Sequence, residues 1–451
     1  MLDQIILGAG PSGLSYSLID DSRTLIIEKN SYPGGHASSY FIDGFTFDYG
    51  PHIIFSKDKA ILDFIVNSLA DNVHACKRNN KVSFKDKLIK YPFENDLSSL
   101  GYEDNFECIK TFLFNKYKDI YKEPKNMKEW FYFTFGSGIS EKYLIPYNEK
   151  VWNIPVDKLS MVWAERIPNP PPEDVLKSSI GIPTEGYLHQ LYYNYPKTGG
   201  YQSISNAWAK NCNINYDESV IEINKNIEFF DVVTSKRKYK VKEIISTINL
   251  SSLFNVCAKW IPADIVDAYK NLIVNPMYVI SIGLKGSDEN QYTAIYFADS
   301  DFLVNRISFP CTFSSLNAPK GFFSIQAEIT YKKNDPIISE MSDEEIKEHV
   351  LTGLKKRKII KNEEVILVDL KRISESYVVY DISYEKNAKI VRDFFSASGI
   401  ELVGRFSYFE YVNIDMAVSR SIETFIRKSK TKKSKEKLLS QALEHIFKNN
   451  A

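Results

Sequence analysis

A glycine-rich turn near the N-terminus constrains the fold of this chain most. The mostly apolar run at residues 4–7 is followed by Gly8, Gly10 and Gly13 in a G-x-G-x-x-G pattern. Between a strand and a helix, the first glycine permits a tight turn, the second lets backbone approach a pyrophosphate, and the third lets the helix pack closely on the sheet. The start of that helix offers free N–H groups to phosphates. The pattern predicts a dinucleotide site in a Rossmann-like domain, with an ordinary strand–helix turn as the alternative.

An acidic residue and a second glycine pair extend this motif. Glu28 ends the next apolar run, about 20 residues after Gly8, where a carboxylate can bind ribose hydroxyls. Gly34 and Gly35 follow in a Pro-Gly-Gly sequence. A second close approach of backbone to the same cofactor favours FAD over NAD, although Pro-Gly-Gly is also a common turn.

Composition excludes several classes of function. The chain has 451 residues, enough for two or three domains, and 57 basic residues balance 57 acidic ones. No global field therefore favours nucleic acid or an anionic membrane. The five cysteines are scattered without C-x-x-C or metal-ligand spacing, which favours a reduced, cytoplasmic protein with no metal site. We expect no signal peptide and no membrane span, because no apolar run approaches about 18 residues.

Hydrophobic periodicity predicts an α/β fold with a Rossmann-like FAD-binding domain, an inserted helical domain and an antiparallel β-sheet domain. The proline run at 169–172 is expected to mark the exit from the helical part, because proline cannot continue a helix. The basic run at 427–435 fits either an acidic partner or lipid surface, or a solvated helix face. The predicted limits are 1–72, 195–252 and 398–451 for the FAD-binding domain, 98–194 for the helical substrate domain, and 73–97 and 253–397 for the sheet domain.

Seven segments occur in an order that resembles the UDP-galactopyranose mutase family, and its eukaryotic-type branch more than the bacterial one. The first also occurs in protoporphyrinogen and amine oxidases, whereas the fourth and seventh are much more specific. The segments are Phe-Asp-Tyr-Gly-Pro-His-Ile-Ile-Phe-Ser (47–56), Tyr-Pro-Phe (91–93), Gly-Ser-Gly-Ile (136–139), Pro-Tyr-Asn-Glu-Lys-Val-Trp (146–152), Trp-Ala-Glu-Arg (163–166), Tyr-Pro-Lys-Thr-Gly-Gly (195–200) and Gly-Arg-Phe-Ser-Tyr-Phe-Glu-Tyr (404–411).

This resemblance implies an FAD-dependent mutase that interconverts pyranose and furanose forms of a nucleotide-diphosphate sugar for glycan or polysaccharide biosynthesis. It implies that FAD must be reduced, by NAD(P)H or another reductant, and that the sugar is carried on flavin N5. A homo-oligomer is left open. The alternatives are an FAD-dependent oxidoreductase of the amine oxidase or protoporphyrinogen oxidase type, and a non-catalytic flavoprotein that binds a nucleotide sugar.

The resemblance also implies roles for individual residues. Arginine suits a diphosphate because its planar fork binds phosphate oxygens bidentately and stays charged. The implied catalytic residues are Arg166, Arg306, Tyr377 and Tyr411 around the diphosphate, and His52 beside the flavin ring. The implied cofactor residues are Gly8, Gly10, Gly13, Glu28, Gly34, Gly35, Arg405 and Asn413. The implied substrate residues are Tyr91, Phe93, Glu94, Asn148, Trp152 and Tyr296.

Three departures from the family pattern leave the base and the sugar open. Glu94 stands where eukaryotic-type mutases carry glutamine, at a position that contacts the base in the family. An ionised glutamate only accepts hydrogen bonds, so it is expected to suit guanine better than uracil. Ala294 replaces a large aromatic residue, and residues 374–380, with Tyr377 among them, replace a proline-rich loop.

Overall fold

The computed structural model describes residues 1–20, 24–185, 191–289 and 291–448. Its strands are β1 (Leu2–Leu7), β2 (Leu25–Ile27), β3 (Ser39–Ile42), β4 (Phe45–Asp48), β5 (His74–Lys77), β6 (Asn80–Phe84), β7 (Lys87–Lys90), β8 (Tyr192–Tyr195), β9 (Ile214–Asn215), β10 (Val220–Lys225), β11 (Phe230–Thr234), β12 (Lys238–Ser246), β13 (Ile273–Lys285), β14 (Ala294–Phe297), β15 (Arg306–Ser308), β16 (Phe322–Thr330), β17 (Glu364–Val379) and β18 (Ile400–Leu402).

Short 3₁₀ turns and one π-helical turn, Ser140–Leu144, join the α-helices. The helices are α1 (Pro11–Ile19), α2 (Lys59–Asn67), α3 (Tyr102–Leu113), α4 (Tyr117–Ile120), α5 (Met127–Ile139), α6 (Ile145–Trp152), α7 (Pro172–Ser179), α8 (Gln202–Ala209), α9 (Leu250–Val256), α10 (Ala263–Lys270), α11 (Pro310–Phe313), α12 (Asp343–Lys356), α13 (Tyr384–Ser398), α14 (Ile414–Ser429) and α15 (Lys435–Lys448).

The first sheet has the order β10-β11-β12-β1-β2-β9, with β18 also paired to β12. β1 runs parallel to β2 and β12, and its residues Ile5, Ile6 and Leu7 are completely buried, as expected for a parallel strand covered on both faces. The carboxyl ends of β1, β2, β12 and β18 therefore meet at one edge of the sheet, where ligands bind in open α/β folds. The predicted Rossmann-like α/β fold is confirmed.

The second sheet has the order β17-β13-β16-β15-β14-β6-β7. All its neighbours pair antiparallel except β6 and β14, which are parallel. The predicted antiparallel sheet is present, with a single parallel pairing between β6 and β14. Parallel strands need a long crossover connection, and the long stretch of chain between β6 and β14 provides one.

The helices α3, α5, α6 and α7 cover one face of the second sheet. One buried cluster combines Val82 and Val279 from strands with Phe131 and Ile139 from α5. Pro172 is the first residue of α7, a position where the missing N–H of proline costs nothing. The prediction that residues 169–172 mark the exit from the helical part was therefore wrong, because α7 begins at Pro172 and its Val175 packs into the same buried cluster. The domain limits stay a prediction.

The basic run at 427–435 spans the end of α14 and the beginning of α15. Three of its cations form ion pairs within the chain: Arg427 with Glu401, Lys428 with Glu243, and Lys435 with Asp58. Over the described ranges, no helix combines the length and apolarity needed to cross a membrane, and no cluster of metal-ligating side chains is found.

Candidate functional site

The turn after β1, which contains Gly8, Gly10 and Gly13, has the geometry of a phosphate-binding loop, and we call it the cradle. Gly8 has φ +98°, which favours glycine. A Cβ at Gly13 would lie 2.1 Å from the Gly8 carbonyl oxygen, so only glycine lets α1 pack this closely. A Cβ at Gly10 would meet nothing nearer than the Gly34 carbonyl oxygen at 4.0 Å. The space beside Gly10 is therefore open to a ligand at the start of α1.

Glu28 joins the two glycine-rich loops. Its side chain is buried, and its two oxygens accept the backbone N–H groups of Ala9 at 2.8 Å and Asn30 at 2.9 Å. Each oxygen keeps a further lone pair that can accept a ribose hydroxyl. The N–H of Gly34 donates to the Ala9 carbonyl at 2.9 Å, and Gly34 and Gly35 have φ of +121° and +53°. These residues fit an adenine dinucleotide.

The loop after β18 closes the cradle from the other side. A Cβ at Gly404 would lie 2.3 Å from the Ser12 hydroxyl, so this loop lies directly against the start of α1. Arg405 donates to the carbonyls of Ser376 at 2.6 Å and Val412 at 3.3 Å, while its Nε is buried without a partner in the described part of the chain. Asn413 precedes α14 and does not cap it with its side chain. Both residues keep polar groups free for a ligand.

His52 is close to the cradle but does not line the cavity described below. Its ring stacks on Tyr201 with 5.0 Å between centroids, and its buried Nδ1 finds no partner among the described residues. Burial, together with the charges of Arg405 and Arg306, lowers the pKa of His52 to about 3. The imidazole is therefore neutral at neutral pH. It can donate or accept one hydrogen bond at each nitrogen, but it carries no charge for the reaction.

A cavity of about 210 Å³ lies between the second sheet, α6, the turn Met161–Arg166 and the loop before α14. All of the predicted diphosphate and substrate residues line it, namely Tyr91, Phe93, Glu94, Asn148, Trp152, Arg166, Tyr296, Arg306, Tyr377 and Tyr411. Their roles stay predictions. The sequence interpretation missed Tyr143, Tyr147 and Trp163, which also line the cavity. Trp163 belongs to the same Trp-Ala-Glu-Arg segment as Arg166, so the sequence already indicated that this residue lies close to the site.

Strand register places Arg306 in the cavity wall. Tyr296 lies directly opposite Arg306 on β14 and β15, and Arg306 lies opposite Glu328 on β15 and β16. Opposed residues share one face of a sheet. The Arg306 Nε donates to the Glu328 carboxylate, whose side chain is only 2% exposed, and its Nη2 lies 3.5 Å from the Tyr377 hydroxyl. Burial opposes the charge of Arg306, but Glu328 more than offsets it and holds the pKa well above its usual range.

Tyr377 lies in β17 opposite Asn275, where the register shifts, and not in a loop as the sequence interpretation had it. Its ring lies 5.3 Å from that of Tyr411. The guanidinium of Arg405 is 4.2 Å from the Tyr411 centroid and that of Arg166 is 5.7 Å away. Within the described ranges no carboxylate pairs with Arg166 or Arg405. This end of the cavity therefore carries positive charge that the protein does not neutralise.

Asn148 holds two tryptophans in place. Its Oδ1 accepts the indole N–H groups of Trp152 and Trp163, both at 3.3 Å, and its Nδ2 donates to the Leu144 carbonyl at 2.7 Å. Asn148 and Trp152 are one helical turn apart on α6. The side-chain oxygen of Asn148 is already saturated, so this residue acts on the cavity mainly by positioning the two indoles.

The opposite end of the cavity is aromatic. Phe93 stacks on Tyr143 at 5.1 Å, and Tyr143 stacks on Tyr147 at 5.3 Å. Tyr143 and Tyr147 are four residues apart, which is the signal that could have revealed them. Phe93 is completely buried, because Tyr143 covers one face and Phe84 makes an edge-to-face contact at 5.4 Å between ring centroids. The Tyr143 hydroxyl is buried and has no partner in the described part.

Glu94 lies at this aromatic end without a counter-charge. The side chain is 1% exposed and forms no ion pair with any described cation. Burial raises the pKa of Glu94 to about 8, so the carboxyl is protonated at neutral pH. The expectation of an ionised, acceptor-only glutamate was wrong. A protonated carboxyl both donates and accepts, as glutamine does, and the argument for guanine loses its basis. Ala294 is buried in β14 and does not line the cavity.

Comparison with known proteins supports the same architecture. Residues 6–67 match a family model described as an NAD(P)-binding Rossmann-like domain. A crystal structure of reduced UDP-galactopyranose mutase superposes with a TM-score of 0.87, 21% identity and 99% of both chains covered. A provisionally assigned protoporphyrinogen oxidase from Exiguobacterium sp. gives a TM-score of 0.75 at 16% identity, over 95% of this chain and 98% of the other.

One curated relative matches over most of its length. Coproporphyrinogen III oxidase from Staphylococcus aureus is 22% identical over 430 residues, which cover 84% of this chain and 88% of the relative. At these identities the matches establish a fold shared with flavin-dependent oxidoreductases and isomerases. They give no support to a eukaryotic-type branch in particular.

Proposed function

We propose that this chain is an FAD-dependent mutase that interconverts pyranose and furanose forms of a nucleoside-diphosphate sugar, as a UDP-galactopyranose mutase does. The observation that carries the proposal is the cavity, which has uncompensated guanidinium charge and tyrosine hydroxyls at one end and an aromatic, uncharged end at the other. A nucleoside diphosphate fits this arrangement, because its planar base matches the aromatic end and its charged diphosphate matches the arginine end.

The diphosphate belongs at the arginine end. Arg166 and Arg306 offer guanidinium forks, and charge-assisted hydrogen bonds of this kind contribute roughly 1.5–3 kcal/mol each. The hydroxyls of Tyr377 and Tyr411 add neutral donors. Because Glu328 already fixes the Arg306 side chain, little further order is needed when the ligand binds.

The base belongs at the aromatic end, between Tyr91, Phe93, Glu94 and Tyr143. A protonated Glu94 presents one donor and one acceptor, which match the N3–H and a carbonyl of uracil. This pairing supports UDP over GDP as the carrier of the sugar.

The sugar then extends from the diphosphate toward the dinucleotide cradle. A bound, reduced FAD would supply the nucleophile that the anomeric carbon requires, and the chain would supply position and charge. Arg166 and Arg306 stabilise the diphosphate both when it is attached to the sugar and when it has left. Neutral His52 and the anchored Arg405 lie on the cradle side of the cavity, where their polar groups can orient bound ligand groups.

A second candidate is a flavin-dependent oxidase of a carboxylated tetrapyrrole. It is favoured by the match along most of the length of a coproporphyrinogen III oxidase, and carboxylates would also pair with Arg166 and Arg306. One experiment with the FAD-loaded protein distinguishes the mutase from the oxidase. We expect UDP to bind with micromolar affinity and coproporphyrinogen to cause no oxygen uptake above that of a protein-free control. Rapid oxygen uptake with no UDP binding would instead establish the oxidase.

The Glu94→Gln variant tests whether the Glu94 side chain forms hydrogen bonds with the uracil base. Between pH 6 and 7.5 the variant is expected to bind UDP as the wild type does, because both side chains donate and accept. Above a pH of about 8 the wild-type carboxyl ionises and its donor is lost, so UDP affinity should fall by up to about tenfold at pH 9, while the variant shows no such fall. Isothermal titration from pH 6 to 9 measures this, and Glu344→Gln on the exposed surface is the matched control.

The pH dependence of the unfolding free energy tests the protonation state of Glu94 in the absence of a ligand. A pKa raised from 4.5 to about 8 means that protonation stabilises the fold fully below pH 4.5, and that this contribution is lost as the pH rises through 8. The unfolding free energy of Glu94→Gln relative to the wild type should therefore increase by about 1.4 kcal/mol per pH unit within this window. A difference that is flat with pH would mean that Glu94 is ionised throughout.

A further inference from the structure

His36 lies beside the cradle and has no role in the site as described so far. It directly follows Gly34 and Gly35 in the chain. A Cβ at Gly35 would lie 3.5 Å from the Cα of Gly10, so this loop contacts the residue beside which space for a pyrophosphate is open. The imidazole of His36 therefore begins one residue away from the candidate phosphate site.

The ring of His36 lies in a recess that is open on one side. The residue is exposed, and no described group forms a hydrogen bond with either ring nitrogen. Burial nevertheless lowers the pKa of His36 to about 4, and the charges of Arg405 and Lys29 act in the same direction. A side chain that is accessible and yet strongly desolvated is surrounded by protein on most sides and faces a concave space. A ligand can reach the ring from that space.

Phe406 and Arg405 form the opposite wall of this recess. The His36 ring lies 4.4 Å from the Phe406 ring, and the Arg405 guanidinium lies 5.2 Å from the Phe406 centroid. The same guanidinium lies 4.2 Å from the ring of Tyr411, which lines the cavity. His36 is therefore held between the cradle and the loop that reaches the cavity.

The charges around His36 are complementary to an anion. Arg405 and Lys29, the charged groups that act on the ring, are both cations, and His52, which also faces it, is neutral. Without a ligand, His36 is neutral above a pH of about 4. An opposite charge within about 4–6 Å shifts a pKa by about 1–3 units, so the two charges of a pyrophosphate should raise the pKa of His36 to at least about 6.

We infer that His36 binds the pyrophosphate of FAD and takes up a proton from the solvent as the cofactor binds. The proton is added to the ring nitrogen that is unprotonated in the cofactor-free protein. The imidazolium then donates a charge-assisted hydrogen bond to a phosphate oxygen. This inference depends on FAD as the cofactor, and it is independent of the sugar chemistry.

Titration of FAD into the cofactor-free, full-length protein from pH 5 to pH 8 tests the inference. We expect the wild type to bind FAD at least about tenfold more tightly at pH 5 than at pH 8, because affinity follows the proton gained. Calorimetry at pH 5.5 in buffers of different ionisation enthalpy should show uptake of at least about half a proton for each FAD bound. The His36→Asn variant should lose both effects.

Two further variants serve as rescue and control. His36→Arg carries a permanent charge, so at pH 8 it should bind FAD at least as tightly as the wild type does at pH 5. His349→Gln is the matched control, because His349 also has a lowered pKa but lies on α12, where it accepts the Leu303 N–H at 3.0 Å. This variant should keep the pH dependence of the wild type.

A tenfold pH dependence that persists in His36→Asn would overturn the inference, as would one that disappears only in His52→Asn. Equal FAD affinity of the wild type at all pH values would also overturn it. Each of these results would leave the proposed mutase function intact, since FAD would still be bound. A wild type that binds no FAD at any pH would remove the inference and the proposed function together.

Discussion

Arg306→Ala is expected to lower UDP affinity and kcat/KM with the nucleotide sugar by about two to three orders of magnitude. The substitution removes a charge-assisted contact to the diphosphate. It also leaves Glu328, whose side chain is 2% exposed, as an unpaired negative charge beside the same phosphates. The lost contact costs roughly 1.5–3 kcal/mol, about 10- to 150-fold, and the repulsion between the unpaired Glu328 carboxylate and the phosphates adds to this loss. Isothermal titration with UDP and steady-state kinetics of the reduced enzyme measure the two effects.

Companion variants separate the loss of the arginine from the orphaned carboxylate. Arg306→Ala combined with Glu328→Gln should recover part of the UDP affinity, because the second substitution removes the unpaired charge. Arg372→Ala provides a matched control, since Arg372 is half-exposed and pairs with Asp343 on the surface. If Arg306→Ala kept a full flavin spectrum and wild-type UDP affinity, the diphosphate would have to bind elsewhere.

Gly10→Val is expected to abolish dinucleotide binding, and all activity with it, while the protein stays folded. Gly10 has φ −75° and ψ 175°, which any residue adopts, and a Cβ there meets no protein atom within 3.9 Å. The valine side chain would instead occupy the space that a pyrophosphate needs. We expect at least a tenfold loss of heat-released FAD, measured by chromatography, with circular dichroism matching that of the cofactor-free wild type.

Gly13→Ala makes a useful contrast within the same motif. Its Cβ would lie 2.1 Å from the Gly8 carbonyl oxygen, so α1 must move away from the sheet and the fold itself should lose stability.

The outcome that would contradict the prediction for Gly10→Val is a full FAD content. It would show that the cofactor does not approach Gly10 and that the cradle is wrongly placed.

Local sequence patterns predicted the parts of the fold that depend on neighbouring residues. The strand–turn–helix around Gly8, Gly10 and Gly13 and the position of Glu28 follow from spacing alone. Pro172 shows the limit of such reasoning, because proline is excluded from helix interiors but favoured at their first position. A pattern that ends one helix can equally begin the next.

The electrostatic state of the cavity could not be predicted in this way. Arg306 and Glu328 are far apart in sequence and meet only through the register of β15 and β16. The proton on Glu94 depends on burial without a cationic neighbour, which is a tertiary property. Asn148 matched a substrate residue in sequence, yet its oxygen is taken by Trp152 and Trp163. The family pattern named residues that line one cavity, and the packing around each side chain determines which of its polar groups can contact a ligand.

The most direct test of the proposed mutase activity follows product and reductant together. FAD-loaded protein, reduced by dithionite or left oxidised, is incubated with UDP-galactopyranose, and the ring form of the sugar is read by NMR while remaining reductant is titrated. We expect furanose to form only with the reduced protein, over many turnovers, with no reductant consumed in proportion to product. Equal turnover by both forms, or one reductant lost for each product molecule, would contradict a mutase.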